Sequence, residues 1–164
     1  QTGRMQLADI NECITSTLTV ANNELKYHCE LSTALGDLPQ TYCLPSKIKQ
    51  VLLNIILNAG HAIEGQGHID ISSQVIGDYI EIRIKDDGCG IAEDEISKLF
   101  DPFYTTKQVG EGTGLGLAIS YGIIVDEHNG DINVQSEEGK GTCFTLLLPI
   151  VTEQLGTGDA TVAV

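Results

Sequence analysis

The sequence predicts an α/β (α+β) domain in which three main helices are layered on one face of a mixed β-sheet. Apolar residues recur at three- and four-residue steps in three long stretches, whereas about six shorter runs have strand composition and are bounded by turn residues. The chain is 164 residues long, 41% hydrophobic and 20% charged, which suits one core and excludes disorder over most of its length.

Asp9 is placed to cap the first helix, whose apolar positions Ile10, Cys13, Ile14, Leu18 and Ala21 carry it to about Asn23. Two short strands are expected at 26–32 and 41–44, around a loop holding Gly36 and Pro39. Pro45 and Ser46 open the second helix, which runs to about Ile63 before Gly65 and Gly67 stop it. Strands at 68–76 and 79–85 flank Gly77-Asp78, a pair that tolerates the positive φ of a tight hairpin turn. Residues 92–99 make a short helix. The stretch 101–114 holds Pro102, Gly110, Gly112 and Gly114, too many breakers for regular structure, and a loop of that length is usually functional. Leu115 to His128 reads as the third long helix, stopped by Asn129-Gly130, and strands at 131–136 and 142–148 follow. The domain is therefore expected over 9–150, with 1–8 as the end of an upstream linker and 151–164 as a flexible C-terminal tail. Because the chain opens Gln1-Thr2-Gly3-Arg4, it reads as a piece of something longer.

Nine Lys and Arg against 23 Asp and Glu give a net charge of −14, which repels polyphosphate backbones and anionic lipids, so no nucleic-acid partner is expected. Three Phe, five Tyr and no Trp leave little material for a base-stacking platform. The five cysteines are widely spaced without a C-x-x-C, which fits neither a disulfide framework nor a zinc site and points to a reducing, cytoplasmic compartment. The most apolar stretch, 51–57, is interrupted by Asn54 and falls far short of the ~20 residues of a membrane span.

Four features could carry chemistry. On a helical wheel Ile48, Leu52, Ile55, Ile56, Ala59 and Ile63 form one apolar face, while Lys47, Gln50, Asn54, Asn58 and His61 form a narrow polar stripe that is expected to line a cavity. In the strand 79–85, Ile80, Ile82 and Ile84 alternate with Glu81, Arg83 and Lys85, and continuing the count puts Asp86 on the apolar side. A carboxylate there must meet internal amides or wait for a ligand's N–H. Gly88 and Gly90, directly after it, leave backbone open to the close approach of a flat ligand. Finally, Gly110, Gly112, Gly114 and Gly116 lead into a helix start, an arrangement that presents N–H groups to an anion. The pattern is neither a G-x-x-x-x-G-K-[ST] loop nor a dinucleotide fingerprint. Lys107 and Lys140 lie in or beside Gly-rich segments, and His128 suits a helix C-terminus. No metal cage made of side chains and no covalent hydrolase arrangement is expected.

The order of these features is Asn54-x-x-x-Asn58-Ala59, Asp86-Asp87-Gly88-Cys89-Gly90-Ile91, Leu99-Phe100-Asp101-Pro102-Phe103, Gly112-Thr113-Gly114-Leu115-Gly116-Leu117 and Gly139-Lys140-Gly141-Thr142. This succession resembles the ATP-binding catalytic domain of two-component sensor histidine kinases over about residues 8–149. The Phe-Asp-Pro-Phe and Thr-Thr-Lys of residues 100–107 resemble the nitrogen-regulation type. The resemblance implies a two-layer sandwich, the Bergerat ATP-binding fold shared with gyrase, MutL and the large heat-shock chaperones. It implies ATP and Mg²⁺ as ligands, with Asn58 binding Mg²⁺ and Asp86 accepting the adenine amino group. Gly88, Gly90 and Ile91 would shape the base pocket beside Phe100, with Thr142 reached through water. Lys107 would meet phosphate, and Gly112, Thr113, Gly114, Leu115, Gly116 and Leu117 would wrap the triphosphate. His61 stands where many relatives carry a phosphate-directed residue. Asn54, Asn58 and Lys107 form the expected catalytic set.

The implied activity is transfer of the γ-phosphoryl group to a histidine on a separate dimerisation and phosphoacceptor domain of the same protein, with a response regulator receiver domain downstream. That acceptor hairpin is not found in the sequence, and the chain is expected to act as a monomeric catalytic half of a homodimeric parent, whose membrane attachment the sequence leaves open. The alternative is an ATP-hydrolysing clamp of the gyrase, MutL or chaperone type, which needs a Glu four residues before Asn58. That position is Asn54, an amide that cannot activate water as a base. A non-catalytic adapter is disfavoured by the retention of Asn58, Asp86, Lys107 and the glycines.

Overall fold

The computed structural model describes residues 4–101 and 116–153. Asp9 caps α1 (Ile10–Leu25) by accepting the Asn11 N–H at 2.9 Å, and α1 buries Ile10, Cys13, Ile14, Thr17, Ala21 and Leu25. Helix α2 (Pro45–His61) begins with a proline, whose missing N–H costs nothing at a helix start, and buries Ile48, Val51, Leu52, Ile55, Ile56 and Ala59. The two helices lie side by side, and Gly60 permits it: a Cβ there would sit 2.5 Å from a methyl of Leu25.

The strands are β1 (Gln6–Ala8), β2 (Cys29–Leu35), β3 (Thr41–Cys43), β4 (Gly67–Ile76), β5 (Tyr79–Asp86), β6 (Asp131–Glu137) and β7 (Gly141–Pro149). Five of them form one sheet in the order β2-β4-β5-β7-β6, with β2 and β4 parallel and the other neighbours antiparallel. The sheet is mixed and the helices pack on one side of it, as the sequence predicts. Ile69, Ile71, Ile80, Ile82, Ile84, Phe144, Leu146 and Leu148 all point into the helices and are buried. Each is worth roughly 1.5–3 kcal/mol relative to exposure, so strand alternation supplies the driving force for the layer. At the β4–β5 turn only Gly77 has positive φ, +58°, which places the glycine first in the turn.

Both ends are tied further out than composition indicates. Gln6–Ala8, within the expected linker, pairs antiparallel with Thr41–Cys43. Val151, the first residue of the expected tail, donates its N–H to Thr41 Oγ1 at 2.7 Å and accepts from the Tyr42 N–H at 2.9 Å. Short segments that pair at a distance carry no period of their own, so neither tie is visible locally.

The third helix departs from expectation. Residues 92–99 hold only a short α3 (Glu93–Ile96), and the stretch expected as one long helix is α4 (Gly116–Tyr121) continued by a π-helical segment, Gly122–Glu127. Gly122 and the β-branched run Ile123, Ile124 and Val125 are poor helix formers. The segment closes on non-helical partners as well: the Gly130 N–H bonds the Ile124 carbonyl at 2.8 Å, and His128 Nδ1 donates to the Ile123 carbonyl at 2.8 Å. The other ring nitrogen of His128, Nε2, accepts the Leu44 N–H at 3.0 Å, which fixes the neutral Nδ1–H tautomer. Leu44 is the cap residue of α2 and its side chain offers no cap bond. His128 is thus a buried strut joining the start of α2 to the end of α4, a role beyond the dipole contact its position suggests.

Replacing His128 with Leu keeps the volume apolar but strands the Leu44 N–H and the Ile123 carbonyl. A loss of about 1–3 kcal/mol is expected in urea unfolding. A midpoint equal to wild type would show that water replaces both bonds.

Candidate functional site

The sheet register places Asp86 opposite Thr142, and Thr142 opposite Ser136, in one cross-strand row over β5, β7 and β6. The same row continues as Ile69 and Leu31 on β4 and β2. On the sheet face that the helices cover, this row is polar on three strands, β5, β7 and β6. Asp86 and Thr142 are 4% and 5% exposed, so these polar groups are buried at the end of the sheet.

Burial dominates the chemistry of Asp86 and pushes its carboxyl above the ordinary carboxylate range, while backbone hydrogen bonding from Gly88 and Thr142 pulls it back in part. Its Oδ1 accepts the Gly88 N–H at 2.8 Å. Asp87, one residue on, points the other way. It accepts the His68 backbone N–H at 2.8 Å and faces His68 Nδ1 at 3.1 Å, and these contacts hold its carboxyl below the usual range. Alternation alone gives two neighbouring aspartates opposite environments.

The turn after Asp86 is stitched down on three sides. Cys89 N–H reaches the Ala62 carbonyl at the end of α2 (3.0 Å), Gly139 N–H reaches the Cys89 carbonyl (2.7 Å), and Ile91 N–H reaches Ser136 Oγ (2.7 Å). The glycines answer to this packing. A Cβ on Gly88 would lie 2.6 Å from the Ala62 carbonyl oxygen, and one on Gly90, at φ +76°, 2.2 Å from that of Glu137. The sequence reading attributes Gly88 and Gly90 to the approach of a ligand. In the structure protein backbone crowds the position of the missing side chains, so the glycines are also required by the packing of the turn itself.

On α2 the polar stripe divides. Lys47 pairs with Glu127 at 3.2 Å. Gln50 and Asn54 line a cleft of about 230 Å³ together with Leu53, Leu57, Gly116, Ile119 and Ser120. Asn54 Nδ2 donates to Ser120 Oγ at 3.1 Å, and a Cβ on Gly116 would fall 2.5 Å from Asn54 Oδ1, so the start of α4 rests on this amide. Asn58 lies one turn further along α2 and His61 is its exposed last residue. Phe100 is half-buried with its ring 5.2 Å from that of Tyr121, and Leu117 packs at the edge of the core. Lys140 sits on the exposed β6–β7 turn and pairs with Glu137 at 3.4 Å. Lys107, Gly112, Thr113, Gly114 and Leu115 lie outside the described residues.

The structure therefore brings Asp86, Gly88, Gly90, Ile91 and Thr142 together at one end of the sheet, and Asn54 and Gly116 together beside it. Two participants escape the sequence reading. Ser136 follows Ile132 and Val134 at two-residue steps, so the alternation that singles out Asp86 also singles out Ser136. Ser120 had no such signal, because its partner lies 66 residues away.

A buried carboxylate on a sheet floor, a glycine turn beside it and an asparagine-bearing helix above are the parts of a nucleotide-binding ATPase domain. The sequence pattern of the histidine kinase-, DNA gyrase B- and HSP90-like ATPases matches residues 43–152, and the chain belongs to that family. It is 40% identical to the sensor histidine kinase ZraS of Escherichia coli K12 over 149 residues, 89% of this chain and 31% of that protein. It is 46% identical to sporulation kinase E of Bacillus subtilis 168 over 117 residues, 71% of this chain and 15% of that one. The chain thus spans less than a third of these relatives. Among solved structures, the nucleotide-free catalytic domain of the histidine kinase ThkA superimposes with a TM-score of 0.83 at 29% identity, covering 93% of this chain and 100% of that domain. ThkA in complex with the response regulator protein TrrA matches at 0.77 and 26%, over 90% of this chain and 42% of that one. Among the described residues no helix is long and apolar enough to cross a membrane.

The opposite shifts of Asp86 and Asp87 predict opposite effects on stability. Because burial raises the Asp86 value above 3.8, its ionised form subtracts stability at pH 7, and that loss is relieved as pH falls through the folded value. Asp86→Asn should therefore be at least as stable as wild type at pH 7, with the difference shrinking towards pH 4. Asp87→Asn should be less stable than wild type at pH 7, because a lowered value contributes stability that is lost only as pH falls through it. Urea midpoints at several pH values decide both, and an Asp86→Asn variant clearly weaker at pH 7 would show that the carboxylate's hydrogen bonds outweigh its burial.

Proposed function

We propose that this chain is the catalytic domain of a sensor histidine kinase, which holds Mg·ATP and donates the γ-phosphoryl group to a histidine on a separate phosphoacceptor domain. The observation that carries the reading is the buried Asp86 carboxylate on the sheet floor, an acceptor for the amino group of adenine. Thr142, its cross-strand partner, would reach the base through water, and the turn at Gly88, Gly90 and Ile91 would form the pocket wall. Phe100 and Leu117 would close it from the side. Lys107 would meet phosphate, with the N–H groups of Gly112, Thr113, Gly114, Leu115 and Gly116 around it. We assign His61, at the exposed end of α2, to the phosphate end of the same site.

Mg²⁺ takes oxygen ligands and keeps several waters, so the amide oxygen of Asn58 suits it, with phosphate oxygens as the remaining ligands. Bound there, the ion would neutralise charge on the phosphates. Asn54 would position the start of α4, through Gly116 and Ser120. In the transfer, the bond between the γ-phosphorus and the bridging oxygen breaks, ADP leaves, and a phosphorus–nitrogen bond forms to the acceptor imidazole. Positioning and charge neutralisation carry such a reaction, which asks no covalent step of the protein. An amide at Asn54, occupied with Ser120, supports transfer over hydrolysis, since no carboxylate stands there to activate water.

A response regulator would receive the phosphoryl group in turn, in keeping with the solved relative bound to one. The parent protein would be a homodimer joined through its phosphoacceptor domain, with this domain, at residues 9–150, on the cytoplasmic side.

By titration calorimetry, Asp86→Asn should weaken ATP binding about ten- to a hundredfold, the worth of a hydrogen bond to a charged acceptor. Equal affinity would remove Asp86 from the base site. The chain alone should neither label itself nor release phosphate at a useful rate, whereas adding the histidine-bearing hairpin of the parent protein should yield acid-labile label on that hairpin. Asn58→Ala should abolish the label while leaving the fold intact, and efficient phosphate release without a partner would favour the ATPase clamp instead.

A further inference from the structure

Ser136 Oγ stands at the centre of three hydrogen bonds, to the Ile91 N–H at 2.7 Å, the Gly141 carbonyl at 2.9 Å and Thr142 Oγ1 at 2.8 Å. One assignment of protons gives all three contacts a hydrogen. The Ile91 amide can only donate and the Gly141 carbonyl can only accept, so the single proton of Ser136 goes to Gly141. Thr142 must then donate its own proton to Ser136, which leaves lone pairs alone on the Thr142 hydroxyl for any other partner. The hydroxyl is locked as an acceptor beside the Asp86 carboxylate, itself an acceptor.

From this we infer that Ser136 is a positioning residue for recognition of the base, resting on the proposed adenine site. It acts through Thr142: a water held against Thr142 must donate one proton to it and has the other to give, which suits the N1 acceptor of adenine. The same Ser136 hydroxyl anchors the Ile91 amide, so the glycine turn and the Thr142 hydroxyl are set by one atom. Ser136 touches no reacting atom.

The test compares binding of ADP with that of 1-deaza-ADP, in which the N1 acceptor is a C–H group. Wild type should prefer ADP, and Ser136→Ala should narrow that preference about fivefold, the worth of one hydrogen bond. Ser136→Thr, which keeps the hydroxyl, should retain the preference. Thr142→Val, which removes the hydroxyl but keeps the shape, should narrow it as Ser136→Ala does, and the double variant should be no worse than either alone. Thermal melting of each apo variant identifies any that fails to fold, in which case Thr142→Val and Ser136→Thr decide. A Ser136→Ala variant that weakens both ligands by the same factor, or a Thr142→Val variant with the wild-type ratio, would overturn the inference while leaving the adenine site standing. A wild-type chain that binds neither nucleotide would overturn the site and the inference together.

Discussion

A carboxylate buried at the end of an isoleucine strand is the constraint around which the rest of the site is arranged. Ile80, Ile82 and Ile84 draw β5 under the helices, and the pleat that buries them carries Asp86 inward as well. Burial penalises its charge, so the surroundings must supply donors or leave room for one. The Gly88 and Thr142 backbone amides supply part, and the Thr142 and Ser136 hydroxyls continue the polar row through a hydrogen bond of their own. Burial pushes its carboxyl above the ordinary range, a condition common among groups at functional sites.

Rigidity around that row comes from backbone crowding more than from side chains. Gly88, Gly90 and Gly141 each stand where a Cβ would strike a carbonyl oxygen, of Ala62, Glu137 and Asp86 in turn. The turn is thereby pinned between α2, the β6–β7 hairpin and β5. A turn built this way is held in one shape by its neighbours. The α2–α4 side is held by single polar contacts, Asn54 to Ser120 and His128 to Leu44 and Ile123, on a helix that changes from α to π within twelve residues. Helical irregularity of this kind often marks functional segments, and here it lies directly after the glycine-rich stretch.

Much of this was legible in the sequence by itself. Period-2 alternation over 79–85 determined which face of β5 is buried, and therefore that Asp86 points inward. Period-3.6 patterning determined α1 and α2, and Asp9 and Pro45 marked their starts. The succession of motifs from Asn54 to Thr142 determined the family. What tertiary structure decided are the relations that no local period encodes: Gln6–Ala8 and Val151 pairing with the strand at 41–43, Ser120 meeting Asn54, the imidazole of His128 accepting the N–H of Leu44, a helix-cap residue 84 positions earlier. It decided as well that the glycines after Asp86 pack against the Ala62 and Glu137 carbonyls. A repeat in sequence reports which side of an element is dry, because burial acts on each residue separately. Which two elements share a hydrogen bond depends on how the dry sides close over one another, and that is settled only when the whole core is assembled.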